Sequence, residues 1–126
     1  MSEPRDVVRR LWERFQARDW EGAAELLADD VVVDWPHTHE RLRGRSNVIG
    51  FNREYPEGWT IRVLRVLQEG DIAVAEVAVD QEGDGTYHVA SFTEVRDGLV
   101  RRATEYWVDP PREEPASWRA RWAERY

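Results

Sequence analysis

The chain of 126 residues contains no cysteine and no lysine. The first absence excludes a disulfide framework, a thiol nucleophile and a cysteine-based metal site. The second removes Schiff-base chemistry on a lysine. All 18 basic residues are arginines. No apolar run is long enough to cross a bilayer. The opening residues Ser2, Glu3, Pro4, Arg5 and Asp6 lack the apolar stretch of a secretory signal, so a cytoplasmic protein is expected. Positive charge is in deficit as well. The formal net charge of −7 argues against affinity for nucleic-acid phosphates or for a membrane surface.

Tryptophan, by contrast, is abundant, with seven in the chain. Some must fill a core, and others could wall an aromatic pocket. The length suits one domain over residues 1–126, with 109–126 as a proline-rich exit and C-terminal extension.

Pro4 suits the first turn of a helix, and Val7, Val8, Leu11, Trp12 and Phe15 recur at helical spacing behind it. Asp19 is a good N-cap for a second helix with the stripe Trp20, Ala23, Ala24 and Leu27, stopped by Asp29 and Asp30. Val31–Trp35 reads as a β-branched strand ended by Pro36. Residues 37–45 read as a polar connection, after which Ser46 caps a short third helix with Val48, Ile49 and Phe51. The period then changes to extended. Strands are predicted over 59–67, with a bulge near Leu64, and over 72–80, 86–95 and 99–108, forming an antiparallel meander. A terminal helix is predicted over 116–126, with Trp118 and Trp122 one turn apart. Helices first and strands afterwards imply an α+β fold in which helices cover one face of a curved sheet.

Glu105 is the leading candidate for chemistry. It lies in the apolar run Ala103–Val108, and alternation puts Ala103, Glu105 and Trp107 on one face. Such a carboxyl is either at the surface or in a cavity, where apolar surroundings would make it proton-active. Glu76 interrupts the apolar strand 72–80. It is counted among the pocket candidates, the alternative being a salt bridge with Arg62 or Arg65 on the other face. His37 and His39 could both touch a metal, but no third ligand is identified, so no metal site is assigned. His37 is instead placed at a pocket mouth as a donor or proton relay. On the penultimate strand, Tyr87, Val89, Ser91 and Thr93 share a face, and Tyr87 could orient a substrate carbonyl. Trp35, Phe51, Tyr55, Trp59 and Trp107 complete the candidate aromatic wall.

The run Asp19–Val31, the pair Gly44-Arg45 before a short helix, and the closing hairpin from Asp97-Gly98 through Glu105-Tyr106-Trp107 resemble the nuclear transport factor 2-like superfamily, and within it SnoaL-like domain proteins. The resemblance spans nearly the whole chain. It implies a cystatin-like cone: a curved mixed sheet wrapped around N-terminal helices, followed here by a C-terminal helix. It also places the face of Tyr87 and Ser91 toward the cavity. The superfamily holds ketosteroid isomerases, polyketide cyclases, epoxide hydrolases, dehydratases and binding proteins without chemistry. The residues matching the ketosteroid isomerase base, tyrosine and protonated aspartate are Trp35, Leu11 and Ser91, so a steroid isomerase is not expected. Glu105 matches approximately an acidic position used by epoxide hydrolases and cyclases.

Three readings follow. One is a cofactor-independent acid/base enzyme on a small hydrophobic, carbonyl-bearing molecule, with Glu105, His37 and Tyr87 as its catalytic residues. The second is a binding protein with the same cavity. The third is an interaction module. A homodimer through the open sheet face is expected under all three.

Overall fold

The computed structural model describes residues 2–126. Six strands form one curved sheet, ordered β2-β1-β6-β5-β4-β3 and not closed into a barrel. The N-terminal helix α1 (Pro4–Gln16) packs on the middle and late strands, and α3 (Arg45–Glu54) packs beside β1 and β2. The apolar face of α1 supplies Val7, Val8, Trp12 and Phe15 to the core, where each is at most 7 % exposed. Pro4 stands in its first turn, as its missing N–H allows.

The turn after α1 is held by Arg18. Its backbone is left-handed, with φ 59°. Its guanidinium donates to the carbonyls of Phe15, Gln16 and Trp59 and to both oxygens of Glu57. It also lies 3.3 Å from the Trp59 ring centre. One side chain thus ties the end of α1 to the start of β3.

Helix α2 covers only Trp20–Ala24, capped by Asp19, whose carboxylate accepts from the Gly22 amide at 2.9 Å. The predicted continuation through Leu27 does not form. Leu27 opens β1 (Leu27–Trp35) instead, where it pairs with Val100, and the Val100 amide donates to the Leu26 carbonyl at 2.8 Å. Pairing with the last strand offers these residues both hydrogen bonds and burial, which overrides the local preference for helix. Register shifts between Leu27 and Val32 to accommodate exposed Asp29 and Asp30.

The polar connection predicted over 37–45 contains a strand, β2 (Glu40–Arg43), paired antiparallel with Val32–Trp35. It is a short, mostly exposed edge strand, so no apolar alternation marks it. Gly44, not Ser46, stands at the N-cap of α3; it takes φ 90°, ψ 149°, and no side chain caps the helix.

The meander is as predicted: β3 (Trp59–Glu69), β4 (Ile72–Gln81), β5 (Gly85–Arg96) and β6 (Leu99–Val108), with the β3 bulge between Val63 and Arg65. The C-terminal helix is not. Only the 3-10 turn Ser117–Arg121 forms, and Trp118 and Trp122 are 71 % and 75 % exposed. A short amphipathic segment without a surface to pack on lacks the contacts that sustain a helix. No helix among the described residues is long and apolar enough to cross a membrane.

β1 runs parallel to β6 and is clamped to both neighbours by Asp34. The carboxylate accepts from Arg41 of β2 at 2.5 Å and from Arg102 of β6 at 2.6 Å. The bond from Arg41 leads in holding the Asp34 carboxyl below its ordinary 3.8, the Arg102 bond adds to it, and desolvation opposes both. A depressed folded-state value makes this clamp stabilising above pH 3.8, and the stability is lost as pH falls through the folded value. Acid denaturation monitored by circular dichroism should therefore be shallower in Asp34→Asn than in the parent, and high salt should narrow the difference. Gly44→Ala, forced into a backbone region that only glycine occupies freely, should lower unfolding free energy by about 1–3 kcal/mol in urea titrations.

Candidate active site

Between α1, α3 and the concave face of the sheet lies a cavity of about 280 Å³. Its position follows from the curvature of the sheet, which α1 covers only in part. Alternation along β6 turns Ala103, Glu105 and Trp107 inward, and all three line it. Trp35, Phe51, Tyr55, Trp59, Tyr87 and Ser91 line it too. Trp35 and Phe51 meet edge to face at 4.7 Å between ring centres, and Tyr55 lies 6.0 Å beyond Phe51.

Glu105 is partly buried and accepts three hydrogen bonds. The Trp35 indole N–H donates to Oε1 at 2.9 Å, and the Trp107 indole N–H donates to the same atom at 3.3 Å. The Ser91 hydroxyl donates to Oε2 at 3.0 Å. Ser91 is in turn 3.1 Å from the Thr93 hydroxyl, and both residues are buried. An indole N–H can only donate, so Oε1 is held as an acceptor from two sides. The register explains the assembly. Ser91 is the direct cross-strand partner of Glu105, and Asp34 pairs with Thr104, which brings Trp35 beside Glu105.

The other predicted residues divide. His37 lines the cavity but is exposed, at the mouth, with its ring 6.5 Å from that of Trp35. Tyr87 lends its ring to the wall, 6.4 Å from Trp107. Its hydroxyl donates to Asp84 and accepts from Arg112 at 3.2 Å, on the rim. The bond to Asp84, with burial second, raises the Tyr87 phenol above its ordinary value of 10.0. A substrate carbonyl would have to displace Asp84 to receive that proton. Asp84 itself lies below its usual value, chiefly through the bond from Arg112.

Two expectations are corrected. Glu76 is not in the cavity; it is exposed on the outer face, paired with Arg65 at 2.9 Å. β4 is apolar on both faces, so alternation alone could not choose between them. Val89 points to the inner side but is buried in the core packing and does not reach the cavity. Among the described residues, no group of three histidine, aspartate or glutamate side chains is arranged to hold a metal.

Sequence reasoning missed several lining residues. Trp12 and Phe15 carried a helical signal that pointed only to core. Asn52 and Gln81 line the cavity, with their amides donated to the carbonyls of Val48 and Glu57. Glu40 and Asp109 line the mouth, where nothing in local pattern marks them. The Trp59 indole N–H is buried with no acceptor.

Comparison with known proteins places this arrangement. Residues 8–103 match the family described as the SnoaL-like domain. No curated protein matches the sequence. Among solved structures, a protein from Kribbella flavida, provisionally named a ketosteroid isomerase, is 36 % identical, with a TM-score of 0.87 over 98 % of this chain and 89 % of that one. A nuclear transport factor 2-like protein of unknown function from Burkholderia xenovorans is 27 % identical, with a TM-score of 0.76 over 98 % and 94 % of the two chains. An LEH-like epoxide hydrolase from M. tuberculosis is 20 % identical, with a TM-score of 0.72 over 83 % and 82 %, and shares the fold. The matched span, the identity to the Kribbella protein and the curved six-stranded sheet show that the chain belongs to the SnoaL-like domain family, within the nuclear transport factor 2-like fold.

Proposed function

We propose that this chain is a small-molecule pocket protein performing cofactor-independent acid/base chemistry, with Glu105 as the group that takes or gives a proton. One observation carries the reading. A carboxylate is anchored by Trp35, Trp107 and Ser91 in the wall of an aromatic hollow. Anchoring of this kind fixes the direction in which a proton can be exchanged. The reaction class is proton transfer on a small apolar molecule, as in isomerisation, cyclisation, dehydration or epoxide opening. The name of the Kribbella protein is not carried over. The residues that match the base and the protonated aspartate of ketosteroid isomerases are Trp35 and Ser91, and here both donate to Glu105.

A second reading, binding without turnover, has its own support. The Tyr87 hydroxyl is engaged at the rim and His37 sits at the exposed mouth, so neither reinforces Glu105 inside. Under this reading a ligand raises the melting temperature and quenches tryptophan fluorescence, and mass spectrometry finds no product.

The outer sheet face is proposed as a homodimer surface, and a cytoplasmic location belongs to the same proposal. Leu67, Phe92 and Tyr106 are exposed there, with Phe92 and Tyr106 packed edge to face at 6.0 Å. The ion pairs Arg62–Asp80 and Arg65–Glu76 border them. An apolar centre with paired charges of both signs is self-complementary about a two-fold axis.

Glu105→Gln should keep the fold, because the amide oxygen still accepts from both indoles and the amide N–H donates to Ser91. Turnover of an identified substrate should fall at least about a hundredfold; normal turnover in that variant would exclude Glu105 as the acid or base. Phe92→Arg should convert a dimer to monomer in sedimentation velocity at micromolar concentration. A parent protein already monomeric there would reject the dimer surface.

A further inference from the structure

Glu105 has acceptor capacity that the protein leaves unfilled. A carboxylate offers about four acceptor positions. The two indoles occupy both on Oε1, and Ser91 occupies one on Oε2. The remaining position, on Oε2, has no donor among the described residues.

The charge of the lining is equally one-sided. The chain has 18 arginines, yet among the described residues none lines the cavity. Arg102, on the same strand as Glu105, turns outward to Asp34. Arg112 stays on the rim with Asp84, 4.0 Å from Asp109. The charged side chains that line the hollow are the carboxylates of Glu40, Glu105 and Asp109. Glu40 and Asp109 are exposed at the mouth, where water screens them, so the weakly screened negative potential among the rings is that of Glu105.

Beside Glu105 few donors are left for an acceptor-bearing molecule, and the donors of His37, Thr38 and Tyr55 belong to exposed lining residues. Gln81 donates to the carbonyls of Pro56 and Glu57, and Asn52 has one of its two N–H groups on the Val48 carbonyl. The indoles of Trp35 and Trp107 donate to Glu105, and the Tyr87 hydroxyl donates to Asp84. The free Trp59 N–H is itself sealed from solvent. A cation, in contrast, meets an open carboxylate position and the ring walls of Trp35, Phe51, Tyr55 and Trp107, whose π faces attract positive charge. A cavity of about 280 Å³ lies at the small end of ligand sites, which suits an occupant of one ring and a short chain.

We propose that the cavity takes a small organic amine, with its ammonium group donating to Glu105 and its apolar body against the aromatic wall. This rests on the reading of the cavity as a small-molecule site and names its ligand class. The neutral alcohol of the same shape keeps the apolar contacts but loses the charge, and the corresponding acid meets like charge.

The test is calorimetric titration of the full chain at pH 7 with 2-phenylethylamine, 2-phenylethanol and phenylacetate. The amine should bind at least about tenfold more tightly than the alcohol, and phenylacetate more weakly than either. Glu105→Gln should abolish the amine preference while leaving the alcohol within about twofold. Ser91→Ala keeps the carboxylate and frees a second position on Oε2, so it should retain or increase the preference; this holds the test open if the glutamine variant does not fold. Equal or tighter binding of the alcohol or of phenylacetate overturns the amine assignment but leaves a small-molecule site in place. So does an amine preference that survives in folded Glu105→Gln, or that disappears in Ser91→Ala. Absence of binding by all three, together with no thermal shift from a panel of neutral apolar compounds, removes the small-molecule reading itself.

Discussion

A carboxylate in an apolar wall must be given partners, because an unpaired polar group removed from water costs several times what a made hydrogen bond returns. Glu105 meets that requirement through Trp35, Trp107 and Ser91. The three donors come from three strands, so the site exists only when β1, β5 and β6 are in register. Trp35 depends most on long-range structure. Its strand joins β6 in the one parallel pairing of the sheet, and Asp34, the residue before it, pins that pairing from the outer face through Arg41 and Arg102. Adjacent residues on opposite faces thus do complementary work, one locking the strand and the other reaching the carboxylate.

The same alternation separates charge from the hollow. Guanidinium groups collect on the outer face and the rim, where Arg62, Arg65, Arg102 and Arg112 find carboxylates. Exposed pairs of this kind contribute little stability individually. Their consequence for the interior is larger, because no guanidinium is left among the described residues of the cavity wall to neutralise Glu105. Anchored acceptors, ring walls and missing cations all follow from one curved sheet whose two faces have different tasks.

Much of this was legible in the amino acids. Helix α1 was readable because Pro4 and the spacing of Val7, Val8, Leu11, Trp12 and Phe15 agree on start and period. The meander was readable because turn residues punctuate strands of regular length. Glu105 could be placed with Ala103 and Trp107 because the period of a strand is two. Less readable were elements whose formation depends on distant partners. β2 is a polar edge strand that exists because β1 is beside it, and Leu27 left the helix for β1 because Val100 was available. The terminal segment carried a helical pattern and formed a single 3-10 turn, since pattern is no substitute for a surface to cover.

The sequence by itself determined the class of fold, the order of its N-terminal helices and of its long strands, and the face of β6 on which Glu105 lies, because backbone periodicity is a local property. Only the tertiary structure decided that this face lines a hollow, that Trp35 and Ser91 are the groups holding the carboxylate, and that Glu76 belongs to the opposite side. Those outcomes depend on pairings between residues as much as 70 positions apart. They also depend on sheet curvature, and no short window of sequence carries either.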